Sequence, residues 1–219
     1  MSEKKVITII GMGEKNGLSL ARKFGKNNFV VAMLSRNEDH LEQFQKQLSS
    51  EKIEAYYYLT DAADEDSIQS SIRYVHGSLG NTDVLIYNVA AIGQTHLTEV
   101  STEKLMQDFR VNVVGAIVAA QEVLPGMEER KEGKIFFTGG GLSLNPNFRY
   151  GSLGIGKAGI RNAAYSLHQE VRAKGIHVAT VTIQGYIQPD DEKYNPSAIA
   201  EQFWKLYEQQ EDFDVEIQY

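Results

Sequence analysis

Short apolar runs rich in β-branched residues recur along this chain, and each is followed by a longer stretch whose apolar positions repeat with a helical period. The runs cover 5–10, 29–34, 53–59, 84–88, 134–138, 177–183 and a short last segment near 215–217. Helices are predicted between them over 18–27, 38–50, 65–78, 102–129, 150–173 and 196–209. Near-continuous apolar runs suit strands buried on both faces, and parallel neighbours need a crossover of about a dozen residues or more. Seven strands and six helices in alternation therefore predict an α/β fold, a doubly wound, mainly parallel sheet with helices on both faces. No linker, repeat or low-complexity tract divides the chain, so one domain spanning 1–219 is expected. Such sheets bind ligands beyond the carboxyl ends of their strands, and functional residues are expected just after strands.

Composition removes several classes of function. The 22 Lys and Arg against 29 Asp and Glu give a net charge of −7, so no basic field draws the protein to nucleic acid or anionic lipid. No apolar run approaches the roughly 20 residues that cross a bilayer. With no cysteine there is no disulfide, thiolate zinc site or cysteine nucleophile. The start, MSEKKVITIIG, carries charge where a signal peptide needs a long apolar run, and a cytoplasmic protein is expected. Five histidines lack metal-ligand spacing, and no metal is expected.

After the first run the sequence reads IIGMGEKNGLSLA, placing Gly11, Gly13 and Gly17 between a strand and a helix. Glycines there let the backbone turn sharply and approach a pyrophosphate, with the helix amino terminus supplying N–H donors; an ordinary tight turn uses the same residues. The second run ends in Ser35 and Arg36, with no acid before Glu38. An acid at this place holds ribose hydroxyls and an arginine accommodates a 2′-phosphate, so Arg36 points to NADP(H), with NAD(H) as the second nicotinamide partner. A solvated residue at a helix start is the other reading of Arg36. Asp61 and Asn88, after the third and fourth runs, are placed to touch adenine and brace the loops, or to act as cap and turn residues.

These segments, together with DVLIYNVAA, RVNVVGA, TGGG, IQGYIQP and the helix carrying Lys157, resemble the short-chain dehydrogenase/reductase family over nearly the whole chain. The resemblance implies a Rossmann fold, an oxidoreductase activity and NADP(H) held by Gly11, Gly13, Gly17, Leu18, Ser35, Arg36, Asp61, Asn88, Lys157, Gly185 and Ile187. It departs from the common pattern at two places. Counting back from Lys157, the family's tyrosine position is Leu153 and its serine position is Gly140. In the divergent branch that includes the enoyl-acyl-carrier-protein reductases, the tyrosine lies seven before the lysine, and Tyr150 stands there in YGSLGIGK. Gly13, Ser19 and Ala21 fit that branch's glycine motif as well. The further tyrosine of the enoyl reductases, ten before the first, is again Gly140, which argues against membership of their reaction class.

Seven residues of helix turn through 700°, about 20° short of two full turns, so Tyr150 and Lys157 share a face at an axial separation of roughly 10 Å. Gly151, Gly154 and Gly156 each weaken that helix, and close approach of another helix or of the cofactor is expected to favour them. The resemblance implies that Tyr150 donates a proton to a substrate oxygen, that Lys157 holds the nicotinamide ribose and lowers the tyrosine pKa, and that Asn112 orders a helix kink or a proton relay. Thr138 and Ser143 flank the place of the missing serine, as substitute donors or as strand-end and cap residues. The expected reaction is NAD(P)H-dependent reduction of a small carbonyl or conjugated enone. The alternative is a catalytically weak NADP(H)-binding protein that senses redox state or regulates a partner. Only about a dozen residues, QGYIQPDDEKYN, separate the sixth strand from the last helix, which leaves the substrate site open or completed by a partner. Tyr186 and Tyr194 line that site or cover the sheet edge. Apolar surface on 111–124 and 160–171 exceeds what one sheet face needs, and a homodimer or homotetramer is expected.

Overall fold

The computed structural model describes residues 4–219. Its centre is one seven-stranded sheet in the order β3-β2-β1-β4-β5-β6-β7, formed by β1 (Lys5–Ile10), β2 (Phe29–Ser35), β3 (Ala55–Leu59), β4 (Val84–Tyr87), β5 (Gly133–Thr138), β6 (Ile176–Thr182) and β7 (Glu216–Gln218). Every pairing is parallel, in agreement with the expected doubly wound sheet. The helices are α1 (Asn16–Gly25), α2 (Glu38–Ser50), α3 (Glu65–Leu79), α4 (Thr102–Phe109), α5 (Gly115–Arg130), α6 (Gly151–Val171) and α7 (Pro196–Glu208). Chain direction across the sheet reverses between β1 and β4, which opens a crevice at their carboxyl ends.

Side chains alternate along each strand and so build two cores. Ile7 and Ile9 of β1, with Val31, Met33, Phe136 and Val181, pack under α1, α2 and α7. Val6 and Ile10, with Leu34, Leu85, Phe137 and Val178, pack under α3, α5 and α6. Phe24 of α1 meets Phe29, Trp204 and Tyr207 edge-on at 5.2–5.7 Å between ring centroids. Such aromatic pairs add about 0.5–1.5 kcal/mol each beyond the area they bury. Side-chain caps set four helix starts: Asn37 accepts from the His40 N–H, Asp64 from Ser67, Ser101 from Lys104 and Asn195 from Ala198.

Three sequence expectations are corrected here. The helix expected over 102–129 is interrupted, because Arg110–Val114 form a widened π turn between α4 and α5. Such a turn frees backbone carbonyls from the regular ladder. The buried Tyr87 hydroxyl donates to Val111 O at 2.5 Å across this turn, and burial raises its pKa. The helix expected to begin at Tyr150 begins at Gly151, with Tyr150 as its cap residue. The helix expected from Leu18 already starts at Asn16, inside the glycine-rich stretch.

Candidate active site

The crevice starts where β1 ends. Gly11 has φ +91, and a Cβ there would lie 2.7 Å from Val89 N, so only glycine lets the chain turn against the end of β4. Gly13 differs, since nothing in the protein comes within 4 Å of its Cβ position. The space beside that backbone is free for a ligand, as a pyrophosphate requires. The first turn of α1 carries no side-chain cap, which leaves N–H donors and the positive end of the helix dipole toward the crevice. The Leu18 amide does not contribute, because it donates to Gly13 O at 2.9 Å.

Asn88 binds the ends of three strands together. Its Nδ2 donates to Gly11 O at 2.9 Å, and its Oδ1 accepts from Asn16 Nδ2 at 2.6 Å and from Thr138 Oγ1 at 2.8 Å. The side chain is consumed by the protein, so Asn88 braces the loops and does not offer a polar group to adenine. Asp61 forms a turn, its Oδ1 accepting from Ala63 N at 2.9 Å. Half-buried Ser35 ends β2, and the exposed Arg36 that follows pairs with no carboxylate within 4.0 Å among the described residues. A free guanidinium at this place fits a 2′-phosphate.

Lys157 lies under the crevice floor. Its stem runs along Gly140, whose Cβ position is 3.4 Å from Lys157 Cδ, and its Nζ donates to Thr138 O at 2.7 Å. Burial lowers its pKa to about 8. The ammonium therefore reaches the end of β5, and no hydrogen bond joins it to Tyr150 among the described residues. Asn112, in the π turn, accepts from Ala91 N at 2.8 Å through Oδ1, while its buried Nδ2 has no partner. Gly156 is needed because a Cβ there would fall 2.6 Å from Asn112 Cβ. Close approach of the π turn is thus what favours that glycine.

Tyr150 is half-buried, and its hydroxyl has no hydrogen-bond partner among the described residues. Its backbone is held on both sides by Thr95, a residue that no local motif singles out. Thr95 N donates to Arg149 O at 2.8 Å, Gly151 N donates to Thr95 O at 2.9 Å, and Ser152 N donates to Thr95 Oγ1 at 3.0 Å. Ser152 Oγ in turn donates to buried Asp108 at 2.7 Å, and Lys104 pairs with the same carboxylate. In sequence, Lys104 and Asp108 look like an ordinary i, i+4 surface pair, which is why the brace was not legible. Lys15 was missed too: its Nζ donates to Ile187 O at 3.0 Å and joins the glycine loop to the loop after β6.

The hydroxyls considered as replacements for the missing serine are both spent inside the protein. Thr138 donates to Asn88, and Ser143 Oγ donates to Gly140 O at 2.8 Å. Gly185 gives room to the Tyr194 ring, which also meets Tyr219 edge-on at 5.8 Å, so Tyr194 covers the sheet edge. Tyr186 stands out into solvent.

A doubly wound sheet with an open glycine loop at its switch point and a lysine reaching the end of β5 defines a Rossmann-like α/β protein. The short chain dehydrogenase model matches residues 5–196, and the chain belongs to that family. It is 28% identical over 187 residues to carbonyl reductase family member 4 of Xenopus laevis, covering 85% of this chain and 77% of that protein. It is 27% identical over 178 residues to the inactive hydroxysteroid dehydrogenase-like protein 1 of Homo sapiens, of whose length it spans about half, 53%. A metagenomic short-chain oxidoreductase in complex with NADP superposes with a TM-score of 0.89 at 21% identity, covering 98% of this chain and 96% of that one. Among the described residues no helix is long and apolar enough to cross a membrane.

Proposed function

We propose that the protein is an NADP(H)-dependent reductase of ketone or enone carbonyls, with Tyr150 as the acid and Lys157 as its helper. The observation that carries this reading is the half-buried Lys157, whose ammonium at the end of β5 donates to Thr138 O and pairs with no carboxylate among the described residues. Burying a cation without a counter-ion is costly, so a site that keeps one has a use for its charge or its donors. The glycine loop and the uncapped start of α1 would hold the pyrophosphate, and Arg36 the 2′-phosphate. When bound, the nicotinamide supplies hydride to the substrate carbon.

The protein's own groups then manage the charge left on oxygen. Tyr150, whose hydroxyl is uncommitted, donates its proton to that oxygen. Lys157 keeps positive charge close by and offers donors beyond the one given to Thr138 O, which favours release of the proton from the phenol. Asn112 sets the height of α6 through its contact with Gly156, and its unpartnered Nδ2 is available to a water or ligand. The NADP complex among the structural neighbours supports the choice of cofactor.

A weak or inactive NADP(H)-binding regulator is the second reading. It is favoured by Gly140 and Leu153 at the family's serine and tyrosine positions, by the internal use of both neighbouring hydroxyls, and by a relative named inactive. The deciding experiment measures NADPH binding by fluorescence and NADPH oxidation at 340 nm over a panel of ketones and enones, for the wild type and Tyr150→Phe. Turnover that Tyr150→Phe removes supports the reductase. Binding without turnover on any member of the panel supports the regulator.

A further inference from the structure

Among the described residues four large apolar side chains are 70% or more exposed, and three of them lie on loops leaving the carboxyl ends of strands beside the candidate site: Ile92 at 80%, Phe148 at 71% and Tyr186 at 78%. They come from three different loops, those leaving β4, β5 and β6 respectively. These loops meet. Thr95, three residues after Ile92, pairs with Tyr150, two residues after Phe148. The Cβ position of Gly141, at the start of the loop after β5, is 3.1 Å from Gln184 Cα, two residues before Tyr186. Phe148 is held in place by the His96 ring at 5.6 Å and by the Arg149 guanidinium at 5.6 Å, yet most of its surface remains open.

Aromatic and branched side chains on the loops bounding a carbonyl-reducing site give up water readily to an apolar ligand, and beyond the single Tyr186 hydroxyl they offer no partners for a row of hydroxyls. We infer that the substrate is a neutral ketone or enone carrying a bulky apolar, ring-bearing body, and that Phe148 and Tyr186 select it by covering that body. A polyhydroxylated ketone would have to strip its hydroxyls of water against these side chains, at a loss of affinity. The inference deepens the reductase reading and rests on it.

The probes are 1-tetralone, an aryl ketone, and fructose, a polyhydroxylated one, each offered to the NADPH-loaded protein. The expected result is a kcat/KM at least about a hundredfold higher for 1-tetralone, and a fall of about tenfold or more in Phe148→Ala and Tyr186→Ala, since a well-covered aromatic ring contributes on that scale. NADPH affinity should be unchanged in both variants. Comparable turnover of fructose, or variants that treat 1-tetralone as the wild type does, overturns the inference. Saturation-transfer NMR on the NADP⁺-loaded protein keeps the two failures apart. If neither ketone is reduced but 1-tetralone binds through its ring protons and loses that binding in Phe148→Ala, the reductase reading falls and the apolar selection stands; if it does not bind, the selection falls.

Discussion

At the scale of single residues, the proposal gives the Tyr150 hydroxyl and the Lys157 ammonium separable duties, and substitutions should separate them. Tyr150→Phe removes only the proton donor, so NADPH affinity should hold while turnover falls by at least about a hundredfold, the usual worth of a general acid. Steady-state kinetics beside a binding titration reads this directly, and near-normal turnover would remove Tyr150 from the chemistry. Lys157→Ala should lower nucleotide affinity and turnover together. Arg36 pairs with no acid among the described residues, so a 2′-phosphate would meet a free guanidinium. Arg36→Ala should weaken NADPH by about 1.5–3 kcal/mol, the worth of a charge-assisted hydrogen bond, and leave NADH nearly unchanged. Isothermal titration with both nucleotides checks it; equal losses would mean that Arg36 is a solvated surface residue.

At the scale of elements, the junction between the π turn and α6 sets where Lys157 and Tyr150 stand. Gly156→Ala places a methyl 2.6 Å from Asn112 Cβ, so one helix must move. Overpacking of this kind costs about 1–3 kcal/mol, which urea denaturation should show as a lower midpoint with an unchanged slope. The Asp108, Ser152 and Thr95 chain holds the other end of α6. Ser152→Ala leaves the buried Asp108 short of a donor, which costs about 1.5–3 kcal/mol, and it should lower kcat more than it raises KM because Tyr150 loses its fixed approach. A variant as stable and as active as the wild type would show that the chain of bonds is incidental. The helix carrying Lys157 is legible because helical period is a local property, whereas Tyr150 falls just outside it as the cap residue. The brace is not legible, because Thr95 meets Arg149, Gly151 and Ser152 only after β4 and β5 are paired in register.

At the scale of the whole molecule, acid should loosen the edge of the sheet. His177, on β6, stacks on Phe213 at 4.4 Å, donates from Nε2 to Asp214 O at 2.7 Å and has no partner for its buried Nδ1. Burial lowers its pKa to about 4. The unfolded chain takes up the proton first, as pH falls below about 6.5, so stability declines between about 6.5 and 4, by on the order of 3 kcal/mol in full. Burial pushes the Glu216 carboxyl up, but bonds from Arg161, Thr182 and Tyr165 outweigh it and hold the pKa at about 2. That contribution is present above about 4.5 and is lost as pH falls toward 2. Thermal melts between pH 7 and 4 should fall steadily in the wild type and less steeply in His177→Gln; a flat profile in the wild type would show that the ring is not held neutral. Met106, Val114 and Ile155 leave exposed apolar surface on α4, the π turn and α6. That surface supports the proposal of self-association, and a monomer in sedimentation at micromolar concentration would end it.

The sequence by itself determined the strand and helix order, both faces of the sheet and the placing of the glycine loop, because hydrophobic period and turn chemistry act over a few residues. Arg36 after β2 and Lys157 on α6 stand where the sequence pattern puts them, whereas Asn112 falls in the π turn and Tyr150 at the cap of α6. Only the tertiary structure decided what each polar group is free to do. Asn88, Thr138 and Ser143 look open in sequence and are engaged by neighbours up to 77 residues away. Tyr150 and Arg36 looked no different and are left without a partner. Whether a hydrogen-bonding group is spent or available depends on which distant strand ends and helix starts come within 3 Å of it, and close packing, which no local pattern encodes, settles that.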